Sequence, residues 1–127
     1  MTLIAIGAAA STAAKGAPNL DVLIEVSAPR GFAMRSPAAI AIPDGTRFHG
    51  AVCRRSRSPA PNRLRVERLG ADGNVQVSAS QSLSGLTVTQ RHCATYDVVT
   101  PWKVTASDRF RICATRDAAP CMGRDAP

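Results

Sequence analysis

Along most of this chain apolar and polar residues alternate one for one, the spacing of strands with one face turned to a core. "LDVLIEVSA" sets Leu20, Val22, Ile24 and Val26 on one face. "PRGFAMRSP" follows as a loop punctuated by Pro29, Gly31 and Pro37. "AAIAIPDG" reads as a short strand ended by a turn in which proline fixes φ and glycine accepts positive φ. In "TRFHGAVCRR", Phe48, Gly50 and Val52 face one way and His49, Ala51 and Cys53 the other. After the proline-containing loop "SRSPAPN", "RLRVERLGADGNVQVSAS" has the pattern of a hairpin closed by a glycine-containing turn. Its first arm alternates Leu64 and Val66 with Arg63, Arg65 and Glu67; its second alternates Val75, Val77 and Ala79 with polar residues. "GLTVTQRH", with Leu86 and Val88 inward, "WKVTA" and "RFRICAT" complete the set.

No window of helical length carries an apolar stripe at three- and four-residue spacing. About seven short strands at near-regular spacing predict an all-β fold, a small antiparallel β-sandwich of immunoglobulin-like type. Trp102 follows Cys93 and precedes Cys113, so the Cys–Trp–Cys order of antibody domains is not clearly kept. The expected organisation is a segment at residues 1–17, a sandwich at 18–115 and an irregular tail at 116–127.

The four cysteines, Cys53, Cys93, Cys113 and Cys121, contain no C-x-x-C pair, and their spacings fit no common zinc pattern. Four cysteines in a small non-helical chain predict two disulfides and an oxidising compartment, periplasmic or extracellular. Of the three possible connectivities, the favoured one joins Cys53 to Cys93 in the body and Cys113 to Cys121 at the tail. The competing reading is reduced, buried thiols. "MTLIAIGAAASTAAKGAP" resembles the later part of a secretory signal with cleavage after Ala14, though no charged region precedes its apolar run. The same segment also reads as a strand docked on the body or on a neighbour. It is too short to span a bilayer.

The formal net charge of the 127-residue chain is +7, and all basic residues but Lys15 and Lys103 are arginine. Such charge attracts polyanions without choosing among nucleic acid, lipid headgroups and acidic polysaccharide. The candidates are Arg54, Arg55, Arg57, Arg63 and Arg65, weighed against an ordinary solvated sheet face. No aromatic lies between Phe48 and Tyr96. The stretch therefore lacks the stacking residues of single-strand binders, and specific nucleic-acid recognition is not expected.

Catalytic and metal chemistry find little support. His49, Cys53, His92 and Cys93 are suitable zinc or copper donors by type. However, His49 and Cys53 stand roughly 13 Å apart on a strand at about 3.3 Å per residue. His92 and Cys93 point to opposite faces. A Cys–His nucleophile from the same residues lacks an orienting partner. "SASQSLSGL" is not a nucleophile elbow. Asp44 and Asp72 belong to turns, and Tyr96–Asp97 suggests a structural tyrosine corner. Trp102 is assigned to the core rather than to a binding surface. The expectation is a non-catalytic exported protein with a binding or structural role, without cofactor. The alternatives are a filament, surface-layer or virion subunit assembling through its apolar N-terminal strand, and a periplasmic metal-binding protein.

Overall fold

The structure, a computed structural model, describes residues 19–57, 59–83, 93–105, 107–116 and 120–121. The signal-like segment, the "GLTVTQRH" strand and most of the tail fall outside these residues.

Seven strands are formed: β1 (Leu23–Ser27), β2 (Phe32–Ile42), β3 (Gly45–Arg54), β4 (Arg63–Leu69), β5 (Val75–Ser82), β6 (Cys93–Thr100) and β7 (Arg109–Thr115). They build two sheets, ordered β1-β7-β4-β5 and β2-β3-β6. All neighbours are antiparallel except β1 and β7, which run parallel with Glu25 beside Arg111 and Ser27 beside Cys113. The all-β sandwich expected from the pattern is thus present. The immunoglobulin-like order is not confirmed: the constant-type arrangement sets the first strand beside the second, whereas here β1 lies beside the last.

The core forms because alternation gives each strand one apolar face. Phe48, Val52, Leu64, Val66, Phe110 and Ile112 are fully buried between the sheets. The Phe48 ring lies 4.9 Å from Phe110 and 6.0 Å from Trp102, and Trp102 stacks on Phe110 with planes 6° apart. Burying one such ring contributes about 1.5–3 kcal/mol. Trp102 is core, as expected, and so are all the other aromatics of the chain: Phe32, Phe48, Tyr96 and Phe110.

Several local expectations are corrected. "PRGFAMRSP" is not a loop throughout, because β2 begins at Phe32. Ser36, at φ 53°, and Pro37 are absorbed by a register shift between Arg35 and Ala38. Pro37 lacks an amide proton, and an edge strand with a bulge tolerates that. Within "WKVTA", residues 102–105 form a connection rather than a strand. There the Thr46 hydroxyl donates to the Trp102 carbonyl at 2.7 Å, and the Thr100 hydroxyl donates to the Thr46 carbonyl at 2.9 Å, so the chain turns inward. The strand instead lies just before it, at β6, where Ala94, Tyr96, Val98 and Thr100 are buried in strict alternation. Val26, expected inward, is exposed at the sheet edge.

Two glycines are dictated by close approach. A Cβ on Gly45 would fall 1.9 Å from the Thr100 carbonyl oxygen, and one on Gly50 would fall 2.4 Å from the Tyr96 hydroxyl. Gly50 and Tyr96 are cross-strand partners, so the aromatic ring lies over a position with no side chain.

Candidate functional site

All four cysteines are oxidised in the favoured connectivity, Cys53–Cys93 and Cys113–Cys121. Cys53 and Cys93 are directly opposite on β3 and β6, so the bond clamps two adjacent strands. Cys113 is on β7, and its bond draws Cys121 back onto the outer face of the four-stranded sheet.

Beneath Cys121 lies a charged centre that the alternation pattern does not reveal. Glu67 was expected among the solvated residues of β4, yet it is completely buried. Its neighbours explain why a carboxylate is tolerated there. Arg65 Nε donates to Oε2 at 2.7 Å, the Cys121 amide donates to the same oxygen at 3.1 Å, and Arg111 Nη1 lies 3.5 Å from Oε1. Arg111 also approaches Glu25 on β1 at 3.6 Å, and Arg109 approaches the same carboxylate at 3.5 Å. A row of alternating charge therefore crosses β1, β7 and β4. A buried carboxylate is stable only when its oxygens are satisfied in this way.

The five arginines proposed for polyanions are separated by the fold. Arg54 is buried: it continues the inward set Phe48, Gly50 and Val52, its guanidinium lies 4.8 Å over the Phe32 ring, and Nη1 donates to the Ser56 carbonyl at 2.8 Å. Arg65 is bound to Glu67, and Arg63 donates to the Ser80 hydroxyl at 3.0 Å. Only Arg55 and Arg57 remain fully exposed, in the connection between β3 and β4. The fold brings other exposed arginines to the same end. The Gly31 carbonyl accepts from the Arg55 and Ser56 amides at 2.7 and 3.2 Å, which sets Arg30 beside that loop. The Thr115 carbonyl accepts from the Asn62 amide at 3.0 Å, which places Arg116 at the loop's far end. Arg30 and Arg116 are far from "RRSRSP" in sequence, and only their loop positions mark them.

The metal and thiol candidates do not come together. Cys53 and Cys93 are bonded to each other, and His92 lies outside the described residues. Among the described residues no group of three or more histidine, cysteine or acidic side chains converges.

Asp72, Asp97 and Asp108 are engaged in local structure. Arg47 donates to Asp97, with Nε at 2.7 Å, and holds that carboxyl below its usual range; the neighbouring His49 adds to the effect. The Asn74 amide and side chain do the same for Asp72 in its turn. For Asp108, burial pushes upward, but the Thr105 amide and Arg68 outweigh it and the net shift is down. Tyr96 is not a tyrosine corner: its buried hydroxyl makes no hydrogen bond among the described residues, and burial pushes the phenol up to about 12.

No family model, no curated protein and no solved structure matches the chain. No helix among the described residues is long and apolar enough to cross a membrane.

Proposed function

We propose that this protein is a non-catalytic β-sandwich of an oxidising compartment, periplasmic or extracellular, with a binding or structural role. The pairing of every cysteine carries this reading. Disulfides persist where the surroundings are oxidising, and a small sandwich gains stability from them. Four carboxylates, Glu67, Asp72, Asp97 and Asp108, are engaged in ion pairs and turns, which adds support.

Fractionation of native cells tests the proposal, with thiols alkylated before lysis. Recovery in the envelope or the medium, with no cysteine alkylated until reductant is added, is the expected result. Recovery in the cytosol with alkylated cysteines overturns it.

A second reading, an assembly subunit, draws on the entry of the chain into the fold. Asn19 bridges Ile40 on the open edge of β2, and the Leu20 amide donates to the Ala39 carbonyl at 2.7 Å. At Asn19 and Leu20 the chain thus runs along a sheet edge, the geometry by which an added strand gains main-chain hydrogen bonds. Size-exclusion chromatography at rising concentration separates the readings: a persistent monomer removes the subunit.

A further inference from the structure

The two ends of the sandwich differ in charge. Acidic residues occupy the turns at one end: Asp44 between β2 and β3, Asp72 between β4 and β5, and Asp108 before β7. The opposite end is formed by the β1–β2 turn, the β3–β4 connection and the end of β7. It presents Arg30, Arg55, Arg57 and Arg116, all exposed. None of the four enters an ion pair among the described residues, and no acidic residue belongs to the described loops of that end.

We infer that this basic end binds a linear acidic polysaccharide. The inference rests on the extracytoplasmic reading above and names the partner class for it. Three observations carry it. First, the cations are unpaired within the described structure, so a polyanion replaces counterions rather than competing with carboxylates. Second, they are arginines, whose planar guanidinium matches carboxylate and sulfate oxygens two at a time. Third, all five aromatics of the chain are buried in the core. Bases therefore have no aromatic ring to stack on, and recognition works through charge and guanidinium hydrogen bonds. The surface is also held in place. Gly31 ties the β1–β2 turn to Arg55 and Ser56, and the buried Arg54 anchors the loop through the Ser56 carbonyl.

The test compares two charge-matched variants on immobilised heparin across a salt series. Arg30→Gln/Arg55→Gln removes two charges from the basic end, and Arg47→Gln/Lys103→Gln removes two from elsewhere. The first is expected to weaken binding on the order of tenfold and to flatten the slope of log affinity against log salt by roughly 1.5. The second is expected to change either quantity little, while both melt like the parent. Three outcomes overturn the inference: absence of retention, equal weakening in the two variants, or tighter binding of single-stranded DNA than of heparin. Each leaves the cysteine pairing untouched, so a failure here is distinct from a failure of the compartment reading, which appears as reduced cysteines.

Discussion

Replacing Cys113 and Cys121 together by alanine removes a covalent strap and uncovers Glu67 in one step. Loop closure alone assigns this disulfide, with a separation of 8, about 2.5 kcal/mol. The same relation assigns Cys53–Cys93, with a separation of 40, about 3.9 kcal/mol. By chain entropy the second bond outranks the first. The structure adds a term to the first only, because the Cys121 amide donates to a fully buried carboxylate. A hydrogen bond to a charged group is worth about 1.5–3 kcal/mol. The strap is therefore expected to cost about 4–5.5 kcal/mol when removed, at least as much as the Cys53→Ala/Cys93→Ala pair. Urea unfolding of both double variants measures the ranking. Repeating the strap deletion in a Glu67→Gln background measures the coupling, expected at about 1 kcal/mol because the acceptor is then neutral. A strap deletion that costs less by the full loop-length difference, with no coupling to Glu67, would refute this account of the buried charge.

Further outcomes follow from the same geometry. Phe48→Ala should cost about 3–5 kcal/mol by chemical denaturation, because the ring is fully buried against Phe110 and Trp102. Gly45→Ala should be poorly folded, since the clash is with backbone, whereas Gly50→Ala should be partly rescued by Tyr96→Phe, which deletes the clashing hydroxyl. Tyr96 is the only tyrosine, so its phenolate absorbance titrates alone. Its folded value is raised from 10.0 to about 12. The neutral phenol therefore stabilises the fold fully below pH 10, and that contribution is lost as pH rises toward 12; Tyr96→Phe should remove this part of the alkaline loss. Asp97→Asn should cost under about 1 kcal/mol, because its pair with Arg47 is solvent-exposed.

Period-two alternation made β3 and β7 legible, since large apolar residues such as Phe48, Val52, Phe110 and Ile112 mark the inward face. It failed at β6, where Ala94 and Thr100 face inward and Val99 outward, so the contrast between faces is low. It also misled at "WKVTA", where Trp102 and Val104 alternate but Pro101 precedes them and the chain turns onto the core. In "PRGFAMRSP", Pro29 and Gly31 do mark a turn, but Pro37 signalled a loop where a bulged edge strand accommodates it. Glu67 and Arg54 show a different limit. Arg54 continues the inward phase of β3, so its burial follows from the same alternation carried two positions past Val52. The burial of Glu67 depends on Cys121, 54 positions away, and no local pattern carries that contact. The disulfides were legible because spacing separates a tail pair from a body pair. The arginine end was only half legible, since Arg55 and Arg57 are neighbours in sequence, whereas Arg30 and Arg116 join them through the Gly31 and Thr115 carbonyls.

The most direct test of the extracytoplasmic reading is the intact mass of the protein from its native host, with free thiols blocked at harvest, before and after reduction. The account predicts no blocked cysteine and a mass gain on reduction equal to two disulfides. Four blocked thiols and no gain on reduction would contradict it, returning the cysteines to the reduced state and the protein to a reducing compartment.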